Sequence, residues 1–451
     1  MEHSKTTKVG FVSLGCPKNL VDSEVMLGTL AQAGYAITAE RDEAEVIVVN
    51  TCGFIDSAKK ESIDTILEMA EFKNSGSCRK LVVAGCLAER YREEIRREIP
   101  EVDFVFGPDE LGSILKAVAL DEAGAPEVSI DALYTSKEIP TIPRILATPP
   151  YLAYLKISEG CDHVCSFCAI PGFRGKFRSR SMEDLVAEAE RLSAGGVREL
   201  VLVSQDTMAY GKDFGAPEGI TSLLSRLAKV EGLRWIRFLY AYPHTIPDSL
   251  VRLVAEEELL CKYFDIPYQH ASSRVLDRMR RGGGRQAYER QVEAIRRLNP
   301  DAAIRTSFIV GFPGETEEDF QELLTFMRNA RFDNVGAFLY SDEEGTAARG
   351  LDGKVPARTA RRRHNELMKV QAEISRARLR DMIGRRAEFL LEGVSEESDL
   401  LLKGRLATQA PEIDGRVLIN DDGGRQVAPG GFYQVEITDS MEYDLIGRIL
   451  Q

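Results

Sequence analysis

The sequence predicts an α/β protein of three modules: an N-terminal parallel-sheet domain, a central partial (β/α)6 barrel and a small C-terminal antiparallel β-barrel. Three observations carry this reading. Short apolar runs alternate with amphipathic stretches through both the first and the second region, which is the pattern of parallel strands covered by helices. A stretch rich in proline, threonine and alanine interrupts that alternation between Ala123 and Pro150. Beyond residue 383 the period shortens to strands separated by Ser-Glu-Glu-Ser, Asp-Asp-Gly-Gly and Pro-Gly-Gly. The expected divisions are 1–125 for the sheet domain, 126–150 for a linker, 151–355 for the barrel, 356–383 for a connecting helix and 384–451 for the small barrel.

In the N-terminal region three expected strands run into cysteines. Val9 to Gly15 leads to Cys16, Val46 to Thr51 leads to Cys52, and Leu81 to Gly85 leads to Cys86. The C-terminal ends of parallel strands lie along one edge, where ligands bind, so the three thiols can converge there. Gly15, Gly53 and Gly85 beside them would let backbone approach a bulky inorganic ligand. These cysteines have no short-range spacing, and either a metal cluster or three unrelated buried thiols fits them. Cys78 and Cys261 precede their strands and are expected to bind nothing.

The barrel region opens on an apolar run, Tyr151 to Ile157, followed by Cys161, Cys165 and Cys168 in a C-x-x-x-C-x-x-C spacing. Three thiolates this close can hold three corners of a cubane iron–sulfur cluster, whose usual complement is four cysteines. With no fourth cysteine nearby, one iron stays open to a small molecule. A structural zinc site or ordinary buried thiols remain as alternatives. His163, between the ligands, is expected to stand beside the cysteines rather than to bind. Strands at Glu199 to Val203, Trp235 to Leu239, Tyr263 to Ile266, Ala303 to Val310 and Asn334 to Leu339 complete six strand–helix units, short of the eight that close a barrel. Arginines at Arg174, Arg178 and Arg180, at Arg278, Arg280 and Arg281, and at Arg361, Arg362 and Arg363 are expected on solvated helix faces or in interdomain ion pairs.

After a charge-rich helix, roughly Pro356 to Ile383, five short strands suit a small barrel. From Arg380 to Gln451 there are 14 acidic against 8 basic side chains. A barrel of this kind that binds RNA needs a basic groove, so this one points to a basic protein partner.

The composition agrees with ordinary globular usage, 44% hydrophobic and 29% charged over 451 residues. A net charge of -13 argues against nucleic-acid binding as the dominant interaction. The polar N-terminus and the lack of a long apolar stretch predict a cytoplasmic protein outside the membrane. In that compartment eight cysteines are better read as metal ligands or free thiols than as disulfides.

The Cys161-x-x-x-Cys165-x-x-Cys168 loop, with Phe167 before the last cysteine, resembles the radical S-adenosylmethionine enzymes. Ser13 to Glu24, Asn50 to Ile55 and Gly85-Cys86-Leu87 resemble the N-terminal domain of the methylthiotransferases, and the C-terminal segment is similar to a TRAM domain. Ser13-Leu14-Gly15-Cys16-Pro17-Lys18-Asn19 and Ser204-Gln205-Asp206-Thr207 look like the branch that modifies ribosomal protein S-twelve, the tRNA-modifying branch being the alternative. A non-catalytic iron–sulfur electron carrier is the reading from another class, and the open coordination site tells against it.

The resemblance implies two 4Fe-4S clusters, one on Cys161, Cys165 and Cys168 and the other on Cys16, Cys52 and Cys86. It implies S-adenosyl-L-methionine on the open iron of the first, cleaved to a radical that takes hydrogen from the β-carbon of an aspartate of the ribosomal protein. A methylated sulfur held at the second cluster is then transferred, with electrons from a donor such as a flavodoxin-type protein. Candidate contacts to S-adenosylmethionine are Gln205 and Asp206 after the second barrel strand, Gln269 and Ser272 after the fourth, and Arg305, Ser307 and Gly311 on and after the fifth.

Overall fold

The computed structural model describes residues 6–120, 144–216 and 218–450. Most of the expected linker lies outside these residues. The first domain is a five-stranded sheet of β1 (Lys8–Ser13), β2 (Ala36–Thr38), β3 (Val46–Thr51), β4 (Lys80–Gly85) and β5 (Phe104–Phe106) in the order β2-β1-β3-β4-β5. Every pairing is parallel. The central β3 is buried along its whole length, as its run Val-Ile-Val-Val requires. Strand order reverses between β1 and β3, and the crevice beyond the C-terminal ends at such a point is where open α/β sheets bind ligands.

Helix α1 (Pro17–Gln32) is buried on more than one face because it is shared. Met26 and Leu30 pack on the N-terminal sheet, while Val21 packs with Tyr151, Leu152 and Tyr154 of the second domain. The second domain contains β6 (Leu152–Lys156), a two-strand ribbon of β7 (Ser158–Glu159) and β8 (Arg178–Ser179), then β9 (Glu199–Val203), β10 (Trp235–Phe238), β11 (Tyr263–Asp265), β12 (Ala303–Val310) and β13 (Asn334–Leu339). β6, β9 and β10 form one parallel set and β11, β12 and β13 another, joined at the bridge between Ile236 and Leu260. Among the described residues β13 does not pair with β6, so the barrel of six strands stays open. Leu155, Leu202, Phe264 and Phe308 face its outer helices, and Tyr154, Val201 and Tyr263 face inward.

The helix Ala357–Arg380 leads into β14 (Arg386–Ser395), β15 (Ser398–Leu406), β16 (Val417–Asp421), β17 (Phe432–Ser440) and β18 (Leu445–Ile449), a closed barrel ordered β14-β15-β16-β18-β17. The expected all-antiparallel arrangement holds except at β16 and β18, which run parallel. This module sits under the starts of the central strands. Arg405 and Arg237 both bind the carboxylate of Glu199, Tyr263 donates to Asp414 at 2.6 Å, and Trp235 donates to Glu388 at 3.0 Å. The N-terminal domain meets the opposite, C-terminal ends. Among the described residues no helix is long and apolar enough to cross a membrane.

Candidate functional site

The N-terminal cysteines come together by backbone contact. Gly15 has φ +91°, and a Cβ there would stand 2.7 Å from Cys52 Cβ. A Cβ on Gly53 would stand 2.9 Å from the backbone of Leu87, next to Cys86. Glycine is needed at both positions because strand ends carrying Cys16, Cys52 and Cys86 are pressed into one crevice. Cys16 is the N-cap residue of α1, which places it at the positive end of the helix. Burial raises the pKa of the Cys52 thiol and pushes that of Cys86 up to about 12.

The second triplet lies on the loop after β7. Gly160, at φ +77°, lets the chain pass against the Lys176 carbonyl, which a side chain would strike. The loop is pinned by Cys161 N–H to Gly175 O (3.2 Å), Ser166 N–H to Met279 O (2.9 Å), Ser166 Oγ–H to Arg278 O (2.7 Å) and Ala348 N–H to Ser166 O (2.7 Å). Burial raises Cys161 to about 11 and Cys168 to about 12. His163 stacks on Tyr242 with ring centres 3.7 Å apart, and its Nε2 lies 2.7 Å from Asp206 Oδ2.

One sulfur in each triplet meets a guanidinium. Arg281 Nη1 donates to Cys165 Sγ at 3.4 Å, and Arg174 Nε donates to Cys86 Sγ at 3.2 Å. A permanent cation aimed at sulfur suits thiolates, although burial alone would keep the Cys86 thiol protonated. Iron supplies the charge that stabilises such thiolates, so both triplets fit an iron–sulfur cluster. Among the described residues no three His, Cys, Asp or Glu side chains converge on a single ion. A cluster offers a separate iron to each sulfur and does not ask three of them to converge on one ion.

Between the triplets runs a buried charge network. Arg174 is 2% exposed, and its Nη1 binds Asp22 at 2.8 Å and Glu159 at 3.0 Å while Nη2 binds Asn19 at 3.1 Å. Lys156 joins Asp22 and Glu159, and Gln205 Nε2 donates to Glu159 Oε1 at 2.7 Å. Burial opposes the charge on Glu159, but Arg174 and Lys156 hold it well below the usual carboxylate range. Arg144 links Glu24 of α1 to Glu188, and Lys59 and Arg90 both reach the buried Glu343.

The other sequence candidates separate into groups. Gln205 and Asp206 stand at the end of β9, the first with a buried, unpartnered Oε1 and the second against His163. Gln269 adopts φ +69° and bridges to Phe308, placing it beside Ser307 on β12, and Arg305 binds Asp265 at 2.9 Å. The Ser272 hydroxyl is engaged by Asp319 at 2.6 Å. Gly311 packs on the C-terminal helix, where a Cβ would stand 2.5 Å from Ala360 Cβ. Of the arginine stretches, Arg174 makes buried interdomain pairs, and Arg180 is buried with Asp184 and Glu188. Sequence reasoning did not single out Asp22, Lys156, Glu159 or Tyr240, whose partners are distant in the chain. Arg281 carried one signal, its place in an arginine run after the fourth barrel strand.

A model of the uncharacterised protein family UPF0004 matches residues 8–107, the radical SAM superfamily matches 155–327, and the TRAM domain matches 383–450. The chain is 52% identical over 445 residues to the ribosomal protein uS12 methylthiotransferase RimO of Solibacter usitatus, covering 98% of this chain and 95% of that one. It is 49% identical over 489 residues to the RimO of Koribacter versatilis, covering 99% and 97%. Among solved structures it resembles the radical S-adenosylmethionine methyltransferase TsrM of Kitasatospora setae, with tryptophan substrate and a SAM analogue bound. The TM-score is 0.57 at 14% identity, covering 82% of this chain and 89% of that one, a likeness of fold. By its identity to full-length relatives and its three matched domains, the chain belongs to the RimO family of methylthiotransferases within the radical SAM superfamily.

Proposed function

We propose that the protein adds a methylthio group to the β-carbon of an aspartate in ribosomal protein S-twelve, using two 4Fe-4S clusters and S-adenosylmethionine. Cys161, Cys165 and Cys168 hold the first cluster, and Cys16, Cys52 and Cys86 hold the second. The observation that carries this reading is Arg174, which touches Cys86 of the N-terminal triplet and Glu159, two residues before Cys161 of the barrel triplet. When bound, the barrel cluster and S-adenosylmethionine supply hydrogen abstraction, and the N-terminal cluster supplies the site for sulfur.

The chain's own residues hold and shield these groups. Asp22, Glu159, Lys156 and Arg174 form two ion pairs' worth of charge, so the wall between the sites is polar but neutral and excludes solvent. Gln205 has a free acceptor for the amino group of the cofactor, with Asp206, Gln269 and Ser307 along the same strand ends. The acidic C-terminal barrel suits a basic ribosomal protein, and electrons come from a flavodoxin-type donor.

The direct test offers purified ribosomal protein S-twelve and tRNA to the anaerobically reconstituted enzyme side by side. Mass spectrometry should show one methylthio group on the protein; its appearance on tRNA alone would sink the reading. Replacing Cys161, Cys165 and Cys168 by alanine should abolish cleavage of S-adenosylmethionine, whereas replacing Cys16, Cys52 and Cys86 should leave cleavage and stop thiolation. Equal loss in both folded variants would count against this division.

A further inference from the structure

Lys18 is a largely buried cation with no hydrogen-bonded anion among the described residues. It is 8% exposed, and its ammonium lies 3.6 Å from the ring centre of Tyr240. Among the described residues no carboxylate or other acceptor takes a hydrogen bond from it. The acids around it are engaged elsewhere. Asp22 binds Lys156 and Arg174, Glu159 binds Lys156, Arg174 and Gln205, and Asp265 binds Arg305 and the backbone N–H of Tyr240. Each of these acids thus has its own hydrogen-bonded cation, and among the described residues no side chain takes the donors of Lys18. An ammonium whose donors no side chain takes is placed to receive an anion from outside the chain.

Its placement says which anion. Lys18 stands two residues after Cys16, on the N-terminal side of the seam between the two domains. Tyr240 follows β10 at the C-terminal end of a barrel strand, on the other side. The ammonium therefore stands where the two domains meet, on the side of the N-terminal triplet. Tyr240 is held at φ +62°, a conformation unfavourable for an aromatic residue, by Thr207 N–H on its carbonyl and by Asp265 on its own N–H. Such strain gathers at binding sites. The ring holds the ammonium by a cation–π contact while leaving its donors for a ligand.

We infer that Lys18 takes the carboxylate of the substrate's aspartate and so selects an acidic side chain for modification. This rests on the proposed function. A charge-assisted contact fixes the carboxylate and leaves the adjacent β-carbon facing the barrel, whereas a neutral side chain would leave Lys18 unpaired.

The test measures binding of fluorescently labelled ribosomal protein S-twelve, with the target residue as aspartate or asparagine, to the reconstituted holoenzyme. The unaltered enzyme should prefer aspartate by about tenfold or more. Lys18→Met should bind both forms equally, and Lys18→Arg should restore part of the preference, with iron content unchanged in both. Preference persisting in Lys18→Met overturns the inference. So does loss of iron from the N-terminal triplet in that variant, which would make Lys18 a counter-ion of the thiolates. Equal binding of the two forms by the unaltered enzyme overturns it without any variant. If the enzyme with Lys18 intact thiolates tRNA and not the protein, the functional reading itself has failed.

Discussion

Arg174 holds groups from three separate stretches of chain with one guanidinium: Asn19 and Asp22, Cys86, and Glu159. Arg174→Ala should cost about 3–5 kcal/mol, because it leaves two buried carboxylates sharing the single cation of Lys156. A drop in the thermal unfolding midpoint would report it, and an unchanged midpoint would refute it. His270 gives a pH signature. It is buried, accepts the Ser272 N–H on Nδ1, and burial lowers its pKa from 6.5 to about 3. The unfolded chain therefore binds the proton first, so this contribution is complete above pH 6.5 and is lost as pH falls towards 3. The slope should reach up to about 1.4 kcal/mol per pH unit, and His270→Gln should flatten it in pH-dependent unfolding curves. The cysteine loop was legible because its three cysteines lie within eight residues. Arg174 was legible only as an arginine, since its partners arrive from positions 19, 22, 86 and 159 through the fold.

The elements show the same division between local and distant signals. The long apolar strands of the barrel read clearly in the sequence, and Ala303–Val310 and Asn334–Leu339 have the expected bounds. β2 and β5, of three residues each, are too short to display a period. α1 has no single apolar face because it packs against two domains, so amphipathicity was a poor guide to it. Gly311, a candidate contact to S-adenosylmethionine, packs its α-carbon against the helix Ala357–Arg380. Gly311→Ala should therefore destabilise the protein by about 1–3 kcal/mol, from overpacking and the positive φ, in denaturant unfolding. Iron content should stay the same; a loss of iron would relocate the residue to the cluster site.

At the scale of the whole molecule, the sequence showed three modules but not how they are joined. The joints are buried ion pairs between residues hundreds of positions apart, such as Arg405 with Glu199 and Arg90 with Glu343. Arg405 and Arg237 hold Glu199 below its ordinary range against the opposing effect of burial. Its ionised form thus stabilises the join above pH 4.5, and that contribution is lost as pH falls below this value. Acid should expose the contact between the barrels to protease, while salt at neutral pH should not, because buried pairs are weakly screened. The triad on Glu199 also limits exchange of parts between relatives. A C-terminal barrel transplanted from another protein would need its own equivalent of Arg405, or Glu199 would be left with Arg237 alone. Hybrids assembled by swapping this segment should express well only when plug and socket travel together.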